Sequence, residues 1–297
     1  MEPQELKKWK ETGKIGAKLL ANARKLAKPE TPLLEIAEKI ENEAEKLKVK
    51  FAFPINLSIN EIAAHFTPLA DDRTVASGLL KIDIGVCIDG CISDNACSID
   101  LTPEQKYKDL IKASESALHE AIKIAKSEIE ICEIGKAIAN QITKEGFSPV
   151  RNLSGHELKP YKLHAGLNIP NYDNRNRTKL QEGMIIAVEP FATSGAGIVQ
   201  DGKPSGIFAL QEKKPVRDMT TRELLNFIEK EYSTLPFSSR WITKKFPRGL
   251  LSLRLLEQAS CLHQFAQLVE SSRQAVSQAE HTLLIEKNKA TVLTAEE

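Results

Sequence analysis

Apolar positions along the chain change period several times, and each change marks an element. From residue 4 to residue 28 they recur at helical spacing (Leu6, Trp9, Ile15, Leu19, Leu20, Ala23, Leu26), with lysines and Arg24 on the other face and Pro29 as a stop. A second helix is expected from Thr31 as N-cap and Pro32 at the first helical position to about Leu47. Residues 51–60 and 61–68 read as two short strands. Residues 80–97 are β-branched and apolar, broken only by Asp89-Gly90, a strong hairpin signal because a type I′ turn needs positive φ at both central residues. Thr102-Pro103-Glu104-Gln105 predicts a capping box opening a helix to about Lys126. Another helix spans 131–144, closed by Gly146. Residues 183–191 form a buried-type strand that ends on Glu189. Residues 195–270 read as a mostly helical insertion: loop at 195–197 and 202–206, a helix capped by Thr220-Thr221-Arg222-Glu223 to about Tyr232, Trp241 in an irregular link, and helix again over 250–268. Strand character returns at 277–286 and 290–294. This order predicts an α+β protein of two similar halves with no repeat in the sequence itself.

The hairpin carries the first chemistry. With Asp89-Gly90 as a two-residue loop, Gly85 faces Asp94 and Asp83 faces Ala96. Side chains alternate, so Asp83, Gly85 and Asp94 share one face. The two aspartates are then diagonal neighbours with Cα atoms about 7–8 Å apart. Carboxylates so placed on an apolar hairpin repel one another and lose hydration unless a cation lies between them. One reading is a metal shelf. The other is one aspartate in solvent and the second at a frayed strand end, which a three-residue loop would favour.

Composition narrows the class. The 297 residues suffice for a large core, and 41% hydrophobic with 27% charged residues is ordinary for a globular protein. A net charge of +1 gives no global attraction to nucleic acid or membrane, so the lysines of the first helix read as a solvated face, with ribosome docking as the alternative. Five cysteines, an odd number without tight spacing or a signal sequence, predict free thiols and a cytoplasmic setting. No apolar run approaches the ~20 residues of a membrane span.

Seven polar residues stand in apolar strand contexts: His65, Asp83, Asp94, His156, His164, Glu189 and Glu280. Four carboxylates with imidazoles suit two divalent cations such as Co(II), Mn(II), Fe(II) or Zn(II). A metal pair about 3.5–4 Å apart can acidify a shared water and polarise a carbonyl, which is hydrolytic chemistry. Competing motifs fail. His156-Glu157 opens no HExxH helix, because Pro160 follows and no histidine lies four residues on. Gly195-Ala196-Gly197 lacks a strand–turn–helix context, and no G-x-S-x-G elbow exists. Cys87 and Cys91 lack a partner pair for zinc. His119 reads as a surface residue, His263 has no evident role, and His281 alternates away from Glu280.

The motifs Asn-Glu-Ile-Ala-Ala-His65-Phe-Thr-Pro, Lys-Ile-Asp83-Ile-Gly-Val, Ser-Asp94-Asn-Ala, Leu-Ser-Gly-His156-Glu-Leu, Tyr-Lys-Leu-His164-Ala-Gly, Val-Glu189-Pro-Phe and Ala-Glu280-His-Thr lie in this order over essentially the whole chain. Together they resemble type II methionine aminopeptidases, in the archaeal form without a long charged N-terminal extension. The resemblance implies a pita-bread fold: a curved antiparallel sheet in two pseudo-symmetric halves with helices on the outer face. Residues 1–194 and 271–297 would form the catalytic domain and 195–270 the helical insertion characteristic of type II. It also implies a ligand set for two divalent ions, Asp83 as a terminal ligand, Asp94 and Glu280 as bridges, and His156 and Glu189 completing the shell of the other metal. Activated water would attack the carbonyl after the N-terminal methionine of nascent polypeptides, preferentially before a small second residue. Glu189 would shuttle a proton, and His65 and His164 would lie at the substrate N-terminus and scissile carbonyl. Phe53 and Leu163 would line the methionine pocket. A monomer is the default. Prolidase or X-Pro aminopeptidase activity and a non-catalytic binding homologue are the alternatives. Two departures stand out: Ala279 before Glu280, expected to alter packing only, and Phe265 where an aromatic, often Tyr, is expected. Gly85 is expected to be small because a side chain there would crowd the metals.

Overall fold

The apolar stripes of the first two helices find a common partner in the central hairpin. A computed structural model describes residues 2–295, so the expected bounds at Met1 and Glu297 lie outside the described residues. Helix α1 (Pro3–Leu26) starts on a proline and buries Trp9, Leu19, Leu20 and Ala23, and α2 (Leu33–Lys46) buries Leu33, Ile36 and Ile40. Thr31 is not the N-cap expected. Pro32 holds that position without a side-chain bond, and backbone bonds to residues 74–76 (Leu33 N to Thr74 O, Ala76 N to Thr31 O) secure the helix start instead.

Next come β1 (Lys50–Phe51), β2 (Asn56–Ile59), β3 (Ile62–Ala64), β4 (Leu79–Ile88) and β5 (Cys91–Asp100). Strands β4 and β5 have the register that the turn dictates: Asp89 and Gly90 have φ of 49° and 92°, Gly85 faces Asp94, and Asp83 faces Ala96. Both β1 and β2 pair along the other edge of β4. Leu57, Leu80, Ile82, Ile84 and Val86 pack against α1 and α2.

The second half repeats this plan with α3 (Lys108–Ile124), α4 (Ile131–Lys144), β6 (Ser148–Pro149), β7 (Ser154–Leu158), β8 (Asn168–Pro170), β9 (Ile185–Val188) and β10 (Phe191–Thr193). Helix α3 begins five residues later than the capping box suggests. The Asp100 carboxylate accepts from Thr102 N, Thr102 Oγ1 and Tyr107 N, which folds residues 102–107 into turns.

The remainder corrects the expected insertion. Strand β11 (Val199–Leu210) precedes α5 (Met219–Glu231), β12 (Phe237–Ser238), α6 (Ser239–Lys245), α7 (Gly249–Gln258) and β13 (Leu262–Glu270). Residues 195–197 are loop as expected, whereas 202–206, expected as loop too, lie within β11. Gly202 and Pro204 sit at irregularities in the β11–β13 pairing, where an unpaired residue is tolerated. The helix expected over 250–268 stops at Gln258, because β13 is paired on both sides by β11 and β3. Trp241 lies within α6, and α5 is capped by Asp218, whose carboxylate accepts from Thr221 N. Helices α5–α7 have a core of their own, with Leu224, Ile228, Phe237 and Leu253. Arg240, 1% exposed, latches them to α2 through Glu41.

Strands β14 (Val276–Gln278), β15 (His281–Ile285) and β16 (Ala290–Val292) complete the second half in the order β16-β15-β9-β7-β8, with α3 and α4 packed behind Ile186, Val188 and Leu283. The halves meet where β5 touches the β14–β15 corner at an antiparallel bridge, Ala96 to Glu280. This is the α+β pita-bread architecture. Among the described residues no helix is long and apolar enough to cross a membrane.

Candidate metal centre

Strand geometry delivers each nominated side chain to the cleft between the halves. Asp83 and Asp94 come from β4 and β5. His156 comes from β7, opposite Ala187 of β9. Glu189 sits where Pro190 separates β9 from β10, and its carbonyl accepts from Asn171 Nδ2 at 3.2 Å. Glu280 occupies the corner between β14 and β15. Leu163 and His164 lie on a loop after β7, tightened by paired bonds between Lys159 and Lys162 and anchored by Tyr161 N to Gly90 O of the aspartate hairpin. His65 follows β3 at φ 63°, a left-handed conformation that costs a non-glycine residue about 1 kcal/mol or more. Its Nδ1 lies 3.1 Å from Ala266 O of β13, which holds the ring toward the cleft.

These residues line one cavity of about 240 Å³, together with Phe53 and Leu163. Donor atoms of Asp94, His156 and Glu280 all lie within 4.8 Å of one another. His156 Nε2 is 3.5 Å from Asp94 Oδ2 and 3.7 Å from Glu189 Oε1. The rings of His156 and His164 are 4.3 Å apart.

Electrostatics make this cluster costly by itself. Burial raises Asp94 to about 7. Asp83 is pushed well up by burial and then by Asp94. Glu189 and Glu280 are pushed well up by burial and by the neighbouring carboxylates. Burial lowers His65 and His156 to about 4, so both imidazoles are neutral at pH 7 and offer lone pairs. His164, at the mouth with its outer edge exposed, shifts down as well, through burial of its inner face and the His156 ring.

The orphaned atoms test what would relieve this. Asp83 Oδ1, Asp94 Oδ1, Glu280 Oε1 and His156 Nδ1 are buried without hydrogen-bond partners. Acceptor oxygens left dry are expensive, and hard oxygen donors with a neutral imidazole are what divalent cations bind. The residues present fit divalent ions.

Some contributors escaped the sequence. Gln278 Nε2 donates to Asp83 Oδ2 (3.4 Å) and Glu280 Oε2 (3.3 Å). Its signal was parity, two residues before Glu280. Asn56, opposite Asp83 in the β2–β4 register, also lines the cavity, as do Ile207 and Pro236 from the 195–270 segment. Phe265 lines it too, edge-on to His65 at 5.5 Å and to His263 at 4.8 Å. At Gly85 the atoms nearest to an added Cβ are those of the Phe53 ring. Ala279 packs into the second-half core, away from the cleft. His281 bonds Thr294 Oγ1, and the described cysteines carry no disulfide.

Comparison with known proteins adds an independent line. The model of metallopeptidase family M24 matches residues 7–232. A methionine aminopeptidase of Pyrococcus abyssi is 47% identical over 289 residues, 96% of this chain and 97% of that one. Among solved structures, a thermophilic Arx1 superposes with TM-score 0.85 at 17% identity, covering 100% of this chain and 92% of that one. A methionine aminopeptidase of Thermotoga maritima superposes with TM-score 0.72 at 22% identity, covering 100% and 98%. At such identities the two structures speak for the fold alone.

Proposed function

Because the chain belongs to metallopeptidase family M24, we propose residue roles for the cleft from its geometry. The chain is a metal-dependent aminopeptidase that removes N-terminal methionine, in keeping with full-length relatives of that activity. It uses divalent metal. We read the centre as dinuclear, with Asp83, Asp94, His156, Glu189 and Glu280 as ligands. The observation that carries this reading is the set of buried donor atoms without partners around one cavity.

Two divalent cations held there would acidify water and polarise the scissile carbonyl. The chain's own groups then have distinct tasks. Glu189, 3.7 Å from His156 Nε2, takes a proton and returns it to the leaving amine. His164, neutral at pH 7, keeps one N–H to donate to the carbonyl oxygen as it gains charge. With Nδ1 donating to Ala266 O, His65 presents Nε2 to the substrate N-terminus as an acceptor. Phe53 and Leu163 receive the methionine side chain. A cavity of about 240 Å³ supports a preference for a small second residue. The 195–270 segment, with the separate core of its helices, supports the type II form. We take a monomer as the default, and the free thiols of the described cysteines support action in the cytoplasm.

The test is release of methionine from Met-Ala-Ser set against cleavage of X-Pro peptides, with metal-free protein reconstituted with Co(II), Mn(II), Fe(II) or Zn(II) in turn. Preferential cleavage of the X-Pro peptide would overturn the assignment, and so would activity unaffected by chelation.

A further inference from the structure

Strand β5 and the β14–β15 corner are joined by more than their single bridge. At Ala96 and Glu280 the backbones exchange both bonds, Glu280 N to Ala96 O at 3.0 Å and Ala96 N to Glu280 O at 3.4 Å. In an antiparallel ladder the next such pairs would be Asp94 with Thr282 and Ser98 with Gln278, two residues away on each side. At both places one backbone has been replaced by a hydroxyl. Thr282 Oγ1 accepts from Asp94 N at 2.7 Å and donates to Asp94 O at 2.8 Å. Ser98 Oγ accepts from Gln278 N at 2.8 Å and donates to Gln278 O at 2.7 Å. A hydroxyl has one proton and two lone pairs, so it can close such a ring alone.

The substitution has a consequence for the site. A side chain spliced into the ladder lets the two backbones diverge on both sides of the bridge, which opens the cleft and keeps its floor closed. The two residues so clamped are Asp94, whose carboxylate faces Glu280 across the cluster, and Gln278, whose amide reaches Asp83 and Glu280. Asp94, Gln278, Ser98 and Thr282 are each at most 5% exposed, so water cannot stand in for either hydroxyl.

We propose that the hydroxyls of Thr282 and Ser98 are positioning groups that set the spacing of the Asp83, Asp94 and Glu280 carboxylates, and through it the affinity of the site for divalent metal. The proposal rests on the metal-centre reading above. Thr282→Val keeps the shape of the side chain and removes the hydroxyl, leaving Asp94 N–H and C=O unpaired. Thr282→Ser keeps the hydroxyl. Ser98→Ala removes the other clamp.

The experiment is calorimetric titration of Co(II) into chelator-stripped protein, with the visible Co(II) spectrum recorded at each addition and the fold checked by circular dichroism. Thr282→Val and Ser98→Ala are expected to weaken Co(II) binding about 10–100-fold and to alter the spectrum, as loss of groups behind metal ligands does. Thr282→Ser should stay within about threefold of the unsubstituted protein, less than half a decade of affinity. A purely structural staple would lower Tm and leave the affinity and spectrum unchanged. Native Co(II) affinity in folded Thr282→Val or Ser98→Ala overturns the proposal. If the valine chain does not fold, Thr282→Cys replaces it. Its thiol is a weaker donor and acceptor, so intermediate affinity supports the proposal and native affinity overturns it. Failure of the unsubstituted protein to bind Co(II) would instead sink the metal-centre reading.

Discussion

The ring of Phe53 fills the space that a side chain on Gly85 would need: a Cβ built there lies 2.2 Å from Phe53 Cε1. Gly85 is also the register partner of Asp94, so one small residue lets an aromatic wall stand beside a carboxylate. Gly85→Ala should drive the ring into the cavity and leave the carboxylates in place. The expected result is a KM for Met-Ala-Ser raised about tenfold, worth about 1.4 kcal/mol, with metal affinity unchanged and a stability loss of about 1–3 kcal/mol. Lost metal affinity with an unchanged KM would mean that Gly85 serves the ligands after all.

Asp94 and Glu280 contribute donor atoms to one tight cluster with His156. On the dinuclear reading proposed above, replacing either by alanine removes a ligand that both ions would share. Methionine release should fall to background, and bound metal measured by emission spectrometry should drop from about two ions per chain toward one or fewer, since ligand count sets affinity. Normal turnover in either variant would contradict the dinuclear reading.

The His164 ring lies 4.3 Å from that of His156 at the mouth of the cavity, and the role proposed for it is donation to the developing oxyanion. His164→Ala should therefore lower kcat about 10²–10³-fold, as loss of one oxyanion donor does, with KM within about threefold. If KM alone rises, His164 is a binding residue.

The metal-free protein should show an unusual pH dependence. Asp83, Asp94, Glu189 and Glu280 have folded pKa values above their unfolded ones, so the folded state keeps protons that the unfolded state releases, and stability falls as pH rises between the two. His65 and His156, at about 4 in the fold, act in the opposite sense, but their effect is complete once unfolded histidine is neutral, above about pH 6.5. From about pH 6.5 to 8 the histidine effect is spent; buried Lys81, whose pKa burial lowers, opposes the carboxyls, but four carboxyls against one lysine should make Tm of the stripped protein drop. Saturating Co(II) should abolish that drop, because binding removes the same protons. Parallel Tm curves with and without metal would refute this.

What the sequence revealed and what it hid have separable causes. The hairpin was legible because its turn needs only Asp89 and Gly90, and parity then carries Asp83 and Asp94 to one face. The seven motifs were legible as local strings. Strands β11 and β13 were not. Gly202, Pro204 and Gly206 are loop signals in isolation, and the apolar spacing of Leu262, Phe265, Ala266 and Val269 fits a helix. Only pairing of these segments with each other and with β3, at long range, makes them strands. Gln278 and the Thr282 hydroxyl were hidden for a related reason, since their partners lie about 190 residues away across a seam that no local pattern records.

A buried ion pair holds the 195–270 segment to the first half. Arg240 is completely buried at its side chain, and Glu41 meets it two-handed, Nη1 to Oε2 and Nη2 to Oε1 at 2.6 Å each. Nε donates to Pro68 O at 2.9 Å, and Trp241 Nε1 adds a bond to Glu41 Oε1 at 2.7 Å. Three of the five guanidinium N–H donors are thus committed, and the latch spans from α2 to α6. Glu41→Ala would strand the guanidinium in a dry site, a loss of about 3–5 kcal/mol. Replacing both partners at once, Glu41→Leu with Arg240→Met, removes the buried charges together and should cost much less. Urea unfolding of the two singles and the double decides it: a double variant as unstable as the sum of its parts would show that the two side chains act independently. That outcome would shift the weight to the other contacts that seat this segment on the first half, among them the packing of Phe51 on Trp241 at 6.1 Å and the Lys244–Glu38 ion pair at 2.8 Å.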